Sequence, residues 1–233
     1  MDNDFNFETY LHISPSKFVI LVNSDQDENI YKKEMLLNDE YEKLDLEKLN
    51  FFLNENIFEI EKKLNNFVKK IFIILSSKEF FPVEISIKKN DFEKKINFED
   101  ISHILTEAKD CCKKTISDRR IIHLIVNVYK VNEKDYNILP KDLFCNSFSL
   151  DVSFFCISKN FIKDLELILK KYQISLNYIV SEKYVLKFLK SDKDDLFLMA
   201  KKLSKGHNPN EAILTNKTPK NRGFFEKFFN FFS

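Results

Sequence analysis

The strand-forming stretch that decides the fold spans residues 119–132 and has the sequence RRIIHLIVNVYKVN. Its first apolar residues are consecutive. Leu124, Val126 and Val128 then follow at intervals of two, which is the spacing of side chains on one face of a strand. We therefore predict a strand over residues 121–131 within a folded core.

Two helices are predicted from clear patterns. Residues 98–116 follow Asn97, a favourable N-cap residue, and begin with the acidic Glu99 and Asp100, which a helix N-terminus favours. Residues 45–68 show the three- and four-residue apolar spacing of an amphipathic helix. The apolar positions of this second helix are Leu46, Leu49, Leu53, Ile57, Ile60, Leu64 and Phe67.

Shorter apolar runs predict the rest of the secondary structure. The predicted strands are residues 10–13, 18–22, 30–37, 71–75, 83–89, 148–157 and 176–180, and the predicted helices are residues 161–171, 182–190 and 196–203. Their order predicts an α+β fold of small mixed sheets with packed helices.

The composition argues against several classes of function. Lys and Arg number 37 and Asp and Glu number 36, so 37 − 36 leaves a net charge of +1 and no global field that would gather nucleic acid. Both glycines, Gly206 and Gly223, lie near the C-terminus, so the predicted folded part has no glycine-rich phosphate-binding loop. We therefore predict no enzyme activity, no cofactor and no nucleic-acid partner.

The cysteines and histidines show no pattern of a metal or catalytic site. The cysteines contain no C-x-x-C pair and no histidine cluster at metal-ligand spacing, which indicates reduced thiols. No catalytic or metal-binding residue is assigned. No apolar run approaches the roughly 20 residues of a membrane-spanning helix, so we expect any membrane contact at the surface. The cysteines are Cys111, Cys112, Cys145 and Cys156, and the histidines outside the N-terminal sheet are His103, His123 and His207.

Part of this pattern resembles a known family. A helix that contains Glu99-Asp100-Ile101, followed by a strand with His123, Tyr129 and Val131, is similar to the 1C subdomain (an SHS2 domain) of the bacterial cell-division protein FtsA. The aspartate that follows this strand in the family is Asn132 here. The resemblance covers about residues 10–190.

The resemblance implies a domain organisation in which the second lobe of the actin-like fold is missing. A remnant of the FtsA 1A subdomain would be interrupted by the 1C-like subdomain, and a flexible linker would lead to a short amphipathic membrane-targeting helix. The predicted parts are residues 1–82 and 158–203 for the 1A-like part, 83–157 for the 1C-like subdomain, 204–223 for the linker and 224–233 for the helix.

The first phosphate-binding loop of FtsA, an actin-like ATP-binding protein, is roughly D-I-G-T-S-K, and the matching place here is residues 12–17. Ser14 replaces the glycine that lets the backbone approach phosphate, and His12 replaces the aspartate that helps to hold the metal. Pro15 removes a backbone N–H donor. These departures from the family predict an ordinary hairpin turn and no ATP site.

The last ten residues predict a membrane-binding helix. On a helical projection the phenylalanines fall within an arc of about 160°. Each basic residue beside this face would add about 1 kcal/mol of attraction to anionic headgroups. A helix this short should bind weakly and reversibly, and more strongly when several copies act together. The predicted membrane-binding residues are Phe224, Phe225, Phe228, Phe229, Phe231, Phe232, Lys220, Arg222 and Lys227.

The resemblance implies an FtsA-like cell-division adaptor that does not hydrolyse ATP. Such a protein would lie peripherally on the cytoplasmic side of the cell inner membrane at the division septum, would bind division proteins through residues 83–157, and could self-associate. Direct binding of the FtsZ tail is not expected, because that contact lies in the missing lobe. Two alternatives stay open: a soluble interaction module of an actin-like assembly system whose Phe-rich tail docks on a partner protein, and a chain that still hydrolyses ATP.

Overall fold

The computed structural model describes residues 6–37, 44–90, 93–140, 143–190 and 195–212. These residues form two compact units. Unit 1 comprises the described residues up to 80 together with those from 159 to 205, and unit 2 comprises those from 81 to 158 together with those from 206 onward.

The two units contain both sheets and helices, which confirms the α+β prediction. The strands of the described residues are β1 (Phe7–Ile13), β2 (Lys17–Ser24), β3 (Asn29–Leu36), β4 (Lys70–Leu75), β5 (Phe81–Lys89), β6 (Lys94–Lys95), β7 (Arg119–Val131), β8 (Lys134–Tyr136), β9 (Phe144–Cys145), β10 (Phe148–Ser158) and β11 (Ser175–Ser181). Their helices are α1 (Leu46–Leu64), α2 (Phe98–Thr115), α3 (Lys159–Lys170), α4 (Glu182–Leu186) and α5 (Leu196–Ser204).

Unit 1 is built on a five-stranded sheet with the order β11-β4-β1-β2-β3. Strands β1, β2 and β3 form an antiparallel meander, whereas β4 runs parallel to β1 and β11 runs parallel to β4. Parallel strands need a crossover connection, and α1 provides it between β3 and β4. The carboxyl ends of β1, β4 and β11 therefore lie side by side at one end of the sheet.

Helix α1 packs on this sheet through the apolar face that its sequence predicts. Asp45 caps the N-terminus by accepting two backbone hydrogen bonds from the first turn, at 3.0 and 2.9 Å. The helix ends at Leu64, before the predicted end at residue 68, because Asn65 adopts a left-handed conformation with φ 49°. Phe67 lies beyond this end and is 71% exposed, so its assignment to the apolar face is wrong. The buried residues of α1 are Leu49, Phe52, Leu53, Asn56, Ile57 and Ile60.

Unit 2 is built on a four-stranded antiparallel sheet with the order β5-β10-β7-β8, and α2 packs on one of its faces. The predicted N-cap of α2 is confirmed. The side chain of Asn97 accepts a hydrogen bond from the Asp100 N–H at 2.9 Å, and the Asp100 carboxylate accepts one from the Asn97 N–H at 3.1 Å. Strands β6 and β9 form a separate two-stranded ladder.

The core of unit 2 joins one face of α2 to the inner face of the sheet. The helix contributes Ile101, Ile104, Leu105, Ala108 and Cys112. The strands contribute Leu124, Val126, Tyr129, Val131, Phe148, Leu150, Val152, Phe154 and Cys156. These buried residues of β7 and β10 therefore face α2.

Further details of the secondary structure differ from the sequence predictions, and the two-residue strands β6 and β9 were not predicted. The helix predicted over residues 182–190 ends at Leu186, because the following backbone hydrogen bonds span three residues rather than four. Strand β8 was not predicted, because its three residues show no apolar alternation and depend on pairing with the end of β7.

Candidate functional site

The predicted membrane-binding segment lies outside the described residues. Its residues are Phe224, Phe225, Phe228, Phe229, Phe231, Phe232, Lys220, Arg222 and Lys227, so the membrane function stays a prediction from the sequence. Among the helices of the described residues, none is long and apolar enough to cross a bilayer. In the same part of the chain, no group of three or more His, Cys, Asp or Glu side chains could hold a metal ion.

Residues 12–17, the place of the family's phosphate loop, form a hairpin turn that is closed by its own hydrogen bonds. The Ser14 N–H donates to the Lys17 carbonyl at 3.0 Å, and the Lys17 N–H donates to Ser14 Oγ at 3.0 Å. The Ser14 hydroxyl also donates to the Lys17 carbonyl at 2.9 Å. Pro15 has no N–H, so this turn has few backbone donors left for an anion. The hairpin prediction is confirmed.

A buried histidine and a carboxylate meet where the three parallel strands of unit 1 end. His12, near the end of β1, is 3% exposed, and its Nε2 lies 2.8 Å from Oε1 of Glu182, the residue that follows β11. The contact has the distance of an ion pair but not the alignment of a hydrogen bond. The imidazole of His12 and the Ser76 hydroxyl together lower the pKa of Glu182 despite its burial.

The neighbouring ammonium group is also engaged. Lys17 Nζ lies 3.2 Å from the Glu34 carboxylate on β3. Its charge also helps to keep the pKa of Glu182 low. The cationic and anionic side chains at this end of the sheet therefore face each other, and this arrangement is suited to holding β1 and β11 in place.

The lowered pKa of Glu182 predicts a specific dependence of stability on pH. Its folded-state pKa lies below the ordinary value of 4.5, so its contribution is present above pH 4.5 and is lost as the pH falls through the folded-state pKa. Glu182→Gln removes the negative charge that His12, Lys17 and the Ser76 hydroxyl stabilise. It should lower the free energy of unfolding by about 1.5–3 kcal/mol at neutral pH, the range for hydrogen bonds to charged groups such as the one that Ser76 donates. This difference from wild type should shrink on acidification.

Urea unfolding of the wild-type chain and of Glu182→Gln at a series of pH values measures this effect. Glu28→Gln, at an exposed position, is the matched control and should follow the wild type at every pH. A constant difference between Glu182→Gln and wild type across the acidic range would contradict the assignment.

A buried lysine joins α5 to β1 and to the turn between β2 and β3. Lys201 Nζ lies 2.8 Å from the Glu8 carboxylate and 2.6 Å from the Asp27 carboxylate, and the Tyr10 hydroxyl donates to Glu8 at 2.6 Å. Burial opposes the charge of the ammonium, but the hydrogen bonds to Asp27 and Glu8 outweigh it and raise the pKa of Lys201. This network is structural, since each charge has its partner within it.

A second buried histidine–carboxylate pair lies in unit 2. His123, on β7, is 1% exposed, and its Nδ1 lies 2.7 Å from Oε1 of Glu211. The segment around Glu211 pairs with the edge of β7: the Val126 N–H donates to the Asn210 carbonyl at 2.9 Å, and the Ala212 N–H donates to the Leu124 carbonyl at 2.8 Å. His123 is thus a sheet residue, as predicted, with a partner that the sequence did not indicate.

This pairing corrects the start of the predicted linker. Residues 204–212 were assigned to a flexible linker, but Ser204 ends α5, and Asn208, Glu211 and Ala212 are buried. Gly, Asn and Pro in this stretch suggested flexibility, whereas they form the turn that brings Glu211 to β7. The described segment makes a single bridge to β7, between Ile125 and Glu211. The sequence signal that could have indicated order here is that apolar residues follow Glu211, which a flexible linker does not need. The rest of the predicted linker lies outside the described residues.

The buried cysteines have the environment of structural thiols. Cys112 and Cys156 are buried in unit 2 with their sulfur atoms 4.0 Å apart, and burial raises the pKa of Cys156 to about 12. Burial also raises the pKa of Cys112, whereas its neighbour Cys111 is exposed. The two adjacent cysteines face different ways on α2, as predicted, and a thiol with a raised pKa is a poor nucleophile.

Neither a protein-family model nor a curated protein matches the chain. Solved structures do show similarity. The cytoplasmic domain of EpsL, an inner membrane component of the type II secretion system of Vibrio cholerae, aligns over 80% of this chain and 61% of that chain, with 12% identity and a TM-score of 0.41.

Two further solved structures show similarity of the same order. The PilM–PilN type IV pilus biogenesis complex aligns over 76% of this chain and 48% of that chain, with 8% identity and a TM-score of 0.46. A Bacteroides thetaiotaomicron protein with an actin-like ATPase fold and unknown function aligns over 80% and 56%, with 14% identity and a TM-score of 0.32. This chain spans 48–61% of the length of the three solved chains. At TM-scores below 0.5 these similarities do not identify a function.

Proposed function

We propose that this protein is a non-catalytic adaptor that binds the inner face of a membrane through residues 224–232 and binds assembly proteins through unit 2. The FtsA resemblance makes cell division the process that we propose, with the septum as the location. Unit 1 then serves as a scaffold without a catalytic role.

The observation that carries the proposal is the hairpin at residues 12–17. An ATP site at this position would need backbone donors and an available positive charge for phosphate. The Ser14 and Lys17 amides are bonded within the turn, the Lys17 ammonium faces Glu34, and His12 faces Glu182. This geometry supports a scaffold role for unit 1.

The chain order also supports the relationship to FtsA. The chain leaves the sheet of unit 1 after β4, forms the sheet and helix of unit 2, and returns through α3 to β11. The resemblance implies a 1A-like part that is interrupted by a 1C-like part. If unit 1 were formed by one uninterrupted stretch of the chain, the chain order would argue against the FtsA resemblance.

Exposed apolar side chains on unit 2 support a protein partner. Ile138 is 65% exposed and Phe144 is 57% exposed, and both lie in the stretch from β8 to β9. Leu143, in the same stretch, is 38% exposed. We infer that this exposed apolar stretch is a contact for a protein partner, because exposed apolar surface is typical of interaction sites where it is contiguous. Division proteins are the partners that we propose for this stretch.

Calorimetric titration with Mg-ATP tests the non-catalytic part of the proposal. We expect no saturable heat from the full chain, which corresponds to a dissociation constant weaker than about 1 mM. Glu34→Gln removes the carboxylate that faces Lys17 and should also give no heat, because the turn amides stay engaged. Saturable binding by the wild-type chain would contradict the proposal and favour the ATP-hydrolysing alternative.

The soluble alternative makes the opposite prediction for the tail. A Phe-rich helix that docks in a groove of a partner protein needs the same apolar face as a membrane helix. Only the adaptor proposal makes binding depend on lipid. Vesicle binding therefore distinguishes the two functions.

A further inference from the structure

Strand β5 is an edge of the unit 2 sheet. In the described residues it pairs with β10 on one side, and no strand lies on its other side. An edge strand carries a row of backbone donors and acceptors that another strand can pair with. Three of its residues, Val83, Ile85 and Ile87, face the α2 side and are only partly buried. A further strand beside β5 would extend the cover over these side chains.

The other face of β5 carries two opposite charges. Glu84 and Lys88 are exposed, and Ser86 lies between them on the same face. Neither Glu84 nor Lys88 has an ion-pair partner among the residues that the structure describes. Other charges nearby are paired: Lys89 Nζ lies 2.7 Å from Glu107, and Lys130 Nζ lies 3.2 Å from Asp151.

We propose that β5 is a self-association edge, on which two copies of this chain pair antiparallel about a two-fold axis at Ser86. In this register Glu84 of each copy lies opposite Lys88 of the other, so two opposite-charge pairs form at once. Opposite charges directly across an antiparallel pair are favourable, and the symmetry repeats each contact. The two serines meet at the axis. Each Ser86 hydroxyl donates to Asp151 of its own chain at 2.6 Å, and the small side chains allow close approach of the two strands.

The same register matches the apolar face. Ile85 of one copy lies opposite Ile87 of the other, again twice. Both side chains are partly exposed in the single chain, and the second copy covers them. Pro82, which cannot donate a hydrogen bond, falls outside the paired residues 83–89. The two four-stranded sheets then become one continuous sheet with α2 of both copies on the same face.

The edge strand β3 of unit 1 lacks the charge pattern that lets β5 pair with its own copy. Its central residues are Lys32, Lys33 and Glu34. Antiparallel self-pairing about any one of them places that residue opposite its own copy, so like charges meet at the axis. Charges of this kind protect an edge from pairing, whereas β5 has an uncharged residue at the axis and complementary charges on either side.

Self-pairing would also present two Phe-rich tails together. This consequence rests on the proposed membrane function, in which one short helix binds weakly and two linked helices bind more strongly. The pairing itself is independent of lipid and is tested without it.

Sedimentation equilibrium of the full chain in lipid-free buffer, over about 1 µM to about 1 mM, tests the pairing. The wild-type chain should rise from the monomer mass of 27.8 kDa toward twice that mass. Glu84→Lys and Lys88→Glu each convert two opposite-charge pairs into two like-charge pairs, so each should weaken the dimer about tenfold. The double variant restores the pairs in reversed order and should recover the wild-type constant.

Two controls separate this effect from misfolding and from a general charge effect. All three variants alter exposed residues, so their thermal unfolding midpoints should match that of the wild type. Lys134→Glu, on the opposite edge strand β8, changes the net charge by the same amount as Lys88→Glu and should leave the dimer constant unchanged.

Three results would overturn the inference. A wild-type chain that stays monomeric over the whole concentration range would show that β5 does not pair with a second copy. Single variants that keep the wild-type constant would place the contact elsewhere, as would a double variant that fails to recover.

Discussion

Glu211→Ala should lower the free energy of unfolding of unit 2 by about 3 kcal/mol. This value is the upper end of the cost of leaving a buried group without its hydrogen-bond partner and the lower end of the cost of breaking a buried ion pair. The substitution removes the carboxylate that lies 2.7 Å from the buried Nδ1 of His123. It also loosens the segment whose backbone bonds to Leu124 and Val126 cover the edge of β7. Urea unfolding measures the loss.

Hydrogen exchange locates the effect of Glu211→Ala. The amide of Val126 donates to the Asn210 carbonyl, so its exchange should accelerate more than that of amides in unit 1. Glu211→Gln keeps a hydrogen-bonding side chain of the same shape and should lose less stability. Glu55→Ala, at an exposed position of α1, should change stability by less than about 0.5 kcal/mol. Wild-type exchange at Val126 in Glu211→Ala would mean that the pair does not hold the segment.

Local signals were sufficient for the elements that depend on their own sequence. Helix α2 was predicted from Asn97 as an N-cap and from the acidic Glu99 and Asp100 that follow it, and in the structure Asn97 and Asp100 form a capping box. Strand β7 was predicted from its apolar start and the period-two alternation that follows, and β10 was predicted from its apolar run. The hairpin at residues 12–17 followed from Ser14 and Pro15, which favour a turn.

Contacts between distant residues could not be predicted. The pair of His12 and Glu182 depends on β1 and β11 ending at the same end of the sheet, which is a property of strand order rather than of either segment. The pair of His123 and Glu211 joins residues 88 positions apart, and the turn residues before Glu211 favoured a linker interpretation. The left-handed Asn65 likewise ended α1 within a continuing apolar pattern.

The Phe-rich tail is the reverse case. Its face is evident from the sequence, because six phenylalanines within nine residues leave only Glu226, Lys227 and Asn230 for the other face. Its function depends on whether this face binds a membrane or a partner protein. The membrane interpretation therefore has to be measured directly.

Co-sedimentation with vesicles compares the full chain with a chain that ends at Arg222, which keeps Lys220 but lacks the phenylalanines. The full chain should pellet with anionic vesicles and less with neutral ones, and the shortened chain should stay in the supernatant. Raising the salt from about 0.1 M to about 1 M shortens the screening length from about 10 to about 3 Å and should reduce the pelleted fraction. The apolar contact should remain.

Single substitutions keep the length of the tail and make the comparison sharper. Phe229→Ser removes apolar area and should weaken vesicle binding about tenfold, since a fully buried phenylalanine contributes about 1.5–3 kcal/mol and tenfold corresponds to about 1.4 kcal/mol. Asn230→Ser alters the polar face and should bind as the wild type does. Pelleting of the full chain alone, with this pattern of substitutions, is the result that we predict. Equal pelleting of both chains, or of neither, would contradict membrane binding by residues 224–232.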